Sequence, residues 1–132
     1  MQYKTDQKEK FTVLTFLDSS LTPNLVPEIN DLTQKILSQS PKNLVLNCSQ
    51  VTQWDSLVIE ALVNAQQLFY DNNASFVICA LSNDLQNSLD ATDFAEMMNL
   101  TPTETEAWDI VQMEEIEREL LDSDDMEFSS EA

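Results

Sequence analysis

Residues 43–70 read NLVLNCSQVTQWDSLVIEALVNAQQLFY. Asn43 to Cys48 is a short apolar run, the pattern of a strand buried on both faces. From Ser56 to Tyr70 the apolar residues Val58, Leu62, Ala65 and Phe69 recur at helical spacing and share one inward face. A buried strand feeding an amphipathic helix through a short loop is one half of a βαβ unit. The second strand follows at Ser75 to Leu81, and Asn72-Asn73 supplies the turn before it. Asparagine is the best substitute for glycine where a helix ends in the left-handed region.

Working outward, Phe11 to Leu17 is apolar and β-branched, a strand, with Met1 to Thr5 pairing beside it. Leu25, Ile29, Leu32 and Ile36 share one helix face. Pro23 could open that helix, but Pro27 then falls early within it, so its start stays open. Ser82 caps a short helix carrying Leu85 and Leu89, and Phe94 to Met98 makes one further turn. Thr103-Glu104-Thr105-Glu106 is a capping box opening a helix through Trp108, Val111, Ile116 and Leu120. This alternation specifies an α/β fold of about four to five strands in a mixed, largely parallel sheet, with helices packed on it.

Composition removes most chemistry. The chain has 132 residues, enough for one domain, and 42% of them are hydrophobic. Its 24 acidic and 6 basic residues give a net charge of −18, which repels nucleic acid and anionic membrane surfaces. There is no histidine for a catalytic pair or an imidazole metal ligand, and no glycine for a phosphate-binding loop. No metal and no cofactor are therefore expected. Cys48 and Cys79 lack the CxxC spacing, and each sits in an apolar run as a buried, reduced thiol. No apolar stretch approaches the roughly 20 residues of a membrane span, and the polar start has no signal-peptide core. A soluble, cytoplasmic protein without membrane insertion is expected. Residues 122–132, rich in Asp, Glu and Ser, read as a disordered acidic tail beyond a domain of residues 1–121.

Asn47-Cys48-Ser49-Gln50-Val51-Thr52-Gln53-Trp54-Asp55-Ser56-Leu57-Val58-Ile59 resembles the central signature of STAS domains, the anti-sigma-factor antagonist family. The usual form there is a buried strand followed by Leu-Ser-x-Val-x-x-x-Asp-Ser-Ser-Gly-Leu. Leu17-Asp18-Ser19 through Pro23 and Glu28 is similar to the family's first strand–helix junction. Asn73-Ala74-Ser75-Phe76-Val77-Ile78 falls at its Gly-Gly turn and following strand. Leu100-Thr101-Pro102-Thr103, continuing to the acidic run ending at Leu120, resembles the close of a subgroup. The resemblance spans about residues 8 to 121.

The resemblance implies a non-catalytic regulatory module that binds a protein partner, an anti-sigma factor with serine-kinase activity. It makes Ser56 the phosphoacceptor candidate and gives partner contacts to Gln53, Trp54, Asp55, Ser56 and Leu57, with Asn83 and Asp84 as a second segment. Any ATP would belong to the partner. Leu57 and Val58 stand where Ser and Gly are usual. A β-branched side chain at Val58 is expected to fill the space through which a kinase approaches Ser56. Asp55 and Ser56 have a second reading as helix caps alone, and Trp54 reads either as half-buried packing or as part of an exposed patch.

An alternative keeps the fold without the phosphorylation: an adaptor subunit docking on a transporter ATPase or another signalling partner. Whether the chain forms a homodimer stays open. A response-regulator receiver is excluded, since it needs a lysine after a later strand and none follows Lys42. Asp122 to Glu127 lacks the spacing and the glycine of an EF-hand loop. Catalysis is not expected.

Overall fold

The structure, a computed structural model, describes the backbone of residues 1–131 and the side chains of residues 1–121. Of the segment 122–132 expected as an acidic tail, the backbone is described through residue 131 and the side chains lie outside the described residues. Among the described residues, seven strands and four α-helices follow in order: β1 Tyr3–Gln7, β2 Phe11–Phe16, β3 Ser20–Leu21, α1 Val26–Leu37, β4 Asn43–Asn47, β5 Gln53–Trp54, α2 Ser56–Asp71, β6 Phe76–Cys79, α3 Asn83–Asp90, β7 Leu100–Thr101 and α4 Glu104–Glu131.

Five of the strands form one mixed sheet, ordered β1-β2-β4-β6-β7. β1 runs antiparallel to β2 at the edge, and every other pairing in the sheet is parallel. Strand alternation sorts the interior into two layers. Leu14, Phe16, Leu44, Leu46, Phe76 and Ile78 face one side, where they meet Ile29 and Ile36 of α1, Leu62 and Phe69 of α2, and Leu85 and Leu89 of α3. Phe69 meets Phe76 edge-on at 5.2 Å, which pins α2 over β6. Phe11, Val13, Val45, Val77 and Cys79 face the other side and are covered by Ala107 and Val111 of α4. Three helices thus cover one face and one helix the other.

The two prolines divide the start of the first helix between them. Pro23 opens a 3₁₀ turn over Pro23–Leu25, and Pro27 then sits in the first turn of α1, where no N–H is needed. Asn73 takes the left-handed conformation at φ 58°, as its position after α2 requires. Thr103 Oγ1 accepts the Glu106 N–H at 3.2 Å and caps α4.

The helix expected through Trp108, Val111, Ile116 and Leu120 is present as α4, and its apolar residues divide between two faces. Ala107 and Val111 are fully buried, but Ile116 and Leu120 are 51% and 54% exposed. Seen along the helix, they lie on the side opposite Ala107 and Val111. The apolar periodicity is real, yet it describes two different faces.

At the start of the parallel strands, buried Asn43 ties three elements together. Its amide N–H groups donate to Lys10 O and Glu115 Oε1, and its Oδ1 accepts the Ser75 N–H at 2.8 Å. A buried amide that satisfies both ends fixes register, because a slipped strand would orphan it. Asn43 opens β4 for this reason.

Candidate functional site

The candidate site lies at the opposite edge, where the parallel strands end. β4 and β6 are parallel neighbours, so the helices that follow them, α2 and α3, begin at the same edge of the sheet. Open α/β sheets place their binding surfaces along this edge.

A small ribbon positions the start of α2. After β4 the chain turns at Ser49, whose N–H donates to Asn47 Oδ1 at 2.9 Å. β5 then pairs in parallel with β3. The Ser19 carbonyl accepts the Thr52 N–H at 2.7 Å and the Gln53 N–H at 3.1 Å, and Leu21 O accepts the Asp55 N–H at 3.1 Å. Leu21 and Val51 anchor both sides in the core. The approach to α2 is therefore held on both flanks by backbone bonds.

Asp55 is the N-cap of α2, extended at φ −91°, ψ 154°, and its carboxylate accepts the Leu57 N–H at 2.9 Å. Ser56 is the first helical residue and is exposed. Among the described residues its hydroxyl has no hydrogen-bond partner. Leu57 is 54% exposed, whereas Val58 is fully buried in the core. The expectation that Val58 crowds the approach to Ser56 is thus corrected. In an α-helix, side chains two residues apart point in widely different directions, so Val58 turns inward beneath α2 while Ser56 stays outside.

Trp54 is half-buried, packs against the core, and donates its indole N–H to Ser88 Oγ of α3 at 2.9 Å. Of its two readings, the structure supports packing. Gln53 is exposed beside it. Asn83 and Asp84 are exposed in the first turn of α3, whose cap Ser82 accepts the Leu85 N–H at 3.2 Å. Gln53 to Leu57 and Asn83-Asp84 therefore lie on one edge of the sheet, linked through Trp54 and Ser88. Nothing in the sequence singled out Ser88, an exposed serine inside a short helix.

Leu57 also borders a shallow groove of about 400 Å³ between α1 and α2, walled by Pro23, Val26, Pro27, Glu60 and Ala61. Residues 44–100 hold seven acids and no base, so no cationic side chain from this segment neutralises the helix start. Among the described residues there is no cluster of three or more His, Cys, Asp or Glu able to hold a metal, and no helix is long and apolar enough to cross a membrane.

A mixed five-stranded sheet with an exposed, capped helix start at its carboxyl edge defines the class: a small α/β module whose candidate working surface is a helix N-terminus and its flanking loops. The STAS domain family matches residues 2–107, and the chain belongs to that family. No curated protein matches it significantly.

The solved structures with a similar fold include the following three proteins. An anti-sigma factor antagonist from Mycobacterium paratuberculosis has a TM-score of 0.73 at 16% identity, over 84% of this chain and 93% of that one. An anti-sigma-factor antagonist (STAS) domain protein from Planctomyces limnophilus has a TM-score of 0.69 at 19% identity, over 80% and 93%. The anti-sigma factor antagonist SpoIIAA in its unphosphorylated form has a TM-score of 0.63 at 15% identity, over 84% and 98%. The phosphorylated form of the same Bacillus protein has a TM-score of 0.61 at 14% identity, over 83% and 99%.

Proposed function

We propose that this STAS domain is a non-catalytic regulatory module that binds an anti-sigma factor with serine-kinase activity, and that phosphorylation of Ser56 switches the binding off. The observation that carries this reading is an exposed Ser56 hydroxyl with no hydrogen-bond partner among the described residues, at the first position of a helix capped by its neighbour. A phosphoacceptor must be reachable by another macromolecule, and a serine used only as a cap would spend its oxygen on the backbone. Here Asp55 is the cap.

The electrostatics support a switch. A phosphate adds roughly −1.5 to −2 charges, and a helix N-terminus tolerates them through its dipole. A partner docked over Gln53, Asp55, Leu57, Asn83 and Asp84 does not, because the new charge joins Asp55 and must be desolvated. The module would hold its fold in both states and lose only the complex.

The test is co-expression with its cognate serine kinase, followed by phosphate-affinity electrophoresis. A retarded band that disappears in Ser56→Ala is expected. A band that persists in that variant refutes Ser56, and recovery of a transporter ATPase subunit as the purified partner refutes the anti-sigma reading.

A further inference from the structure

We infer that the outward face of α4 is a second docking surface, and that its occupant is a basic amphipathic helix of a protein partner. Met113, Ile116 and Leu120 are spaced three and four residues apart, and each is more than half exposed. They point away from Val111, which seats α4 on the sheet. Three large apolar side chains in one helical row form a seam of the kind that helix-in-groove and coiled-coil contacts use.

Charge selects the occupant. Exposed Asp109 lies one turn before Met113 at the head of the seam, exposed Glu117 lies on one flank of it, and residues 101–121 contain seven acids and one arginine. A second copy of α4 would set carboxylate against carboxylate, and an anionic membrane would be repelled. A helix with apolar residues along one face and lysine or arginine beside them satisfies both the seam and its rim. Among the described residues, α4 alone covers its face of the sheet, while α1, α2 and α3 cover the other. Occupation of this seam is therefore compatible with a partner at Ser56.

The probe is a fluorescent synthetic helix of about 15 residues, with leucine on one face and lysine elsewhere, titrated against the full chain by anisotropy. A counterpart with glutamate in place of lysine is the control. The lysine peptide is expected to bind, the glutamate peptide not to bind, and Ile116→Ser/Leu120→Ser to weaken binding about tenfold or more. Tyr70→Ser, at an exposed position on α2, should leave binding unchanged. Both serine variants alter exposed positions without changing charge, and an unchanged circular dichroism spectrum verifies their fold. Equal binding by wild type and Ile116→Ser/Leu120→Ser overturns the inference. So does a wild-type dimer in sedimentation equilibrium that the same double variant dissolves, because the seam would then serve self-association.

Discussion

The indole N–H of Trp54 donates to Ser88 Oγ across 2.9 Å and joins the strand before Ser56 to the helix that carries Asn83 and Asp84. This bond holds the two candidate contact segments in one geometry. A net hydrogen bond of this type contributes about 1 kcal/mol. A double-mutant cycle of Trp54→Phe and Ser88→Ala, read by urea denaturation, should give a coupling energy of about that size. A coupling near zero would mean that the two segments are held independently.

Asp55 should matter to stability through its cap. Asp55→Ala removes the acceptor of the Leu57 N–H and is expected to cost about 1 kcal/mol, with an unchanged denaturant slope. Asp55→Asn keeps an acceptor in place and should retain most of that stability. Equal losses in both variants would show that the carboxylate's charge, not its bond, holds the helix start.

Ser56→Glu separates folding from binding. A carboxylate in the first turn of α2 interacts favourably with the helix dipole, by roughly 0.3–1 kcal/mol at the surface. Thermal stability should stay level or rise, while affinity for the proposed kinase partner falls. A variant that loses stability and affinity together would refute the switch, since the effect would then be damage to the helix.

Most of the scaffold was legible because long, strongly patterned segments dominate it. Leu44 to Leu46 read as a doubly buried strand, and Val58, Leu62, Ala65 and Phe69 as one helix face, and all of them are buried. The β3–β5 ribbon was not legible, because two-residue strands carry no periodicity and are held by backbone bonds from Ser19 and Leu21. Ile116 and Leu120 mark another boundary: apolar spacing identifies a helix face without identifying what covers it. At the candidate site, the resemblance pointed to Ser56, but only the folded chain shows Val58 turned into the core and Ser56 exposed. The role of Trp54 depended on Ser88, which lies 34 residues away in sequence.

Ala80 follows β6 with φ 62°, a left-handed conformation that costs an L-residue with a Cβ roughly 1–2 kcal/mol. Its N–H donates to Thr101 O at 3.2 Å, which keeps it there. Ala80→Gly removes the clash but enlarges the unfolded ensemble, so a net gain of about 0.5–1 kcal/mol is expected. Asn73→Ala, at the other left-handed position, should change stability in the opposite direction. Chemical denaturation of the pair checks both signs, and a destabilised Ala80→Gly would show that Ala80's methyl group contributes packing that outweighs its strain.

The two thiols make folding sensitive to alkali. Cys48 and Cys79 are free and buried, on opposite faces of the sheet, and the Cys48 N–H donates to Cys79 O at 3.0 Å. Burial pushes the Cys79 thiol up to about 11 from 9.0, with Glu104's charge adding to the effect. Burial pushes Cys48 higher still, and Cys79 contributes. Above 9.0 the unfolded chain releases thiol protons that the folded chain keeps, so stability falls with rising pH. The contribution is complete below that value and is lost as pH rises through about 11. Denaturation midpoints should therefore drop more steeply across this window in the wild type than in Cys48→Ala/Cys79→Ala. Alkylation of the native protein should also proceed only as fast as it unfolds, because the reactive thiolate forms in the unfolded chain. Parallel pH profiles for the two proteins would refute the coupling, and rapid alkylation of the native fold would place the sulfurs within reach of solvent.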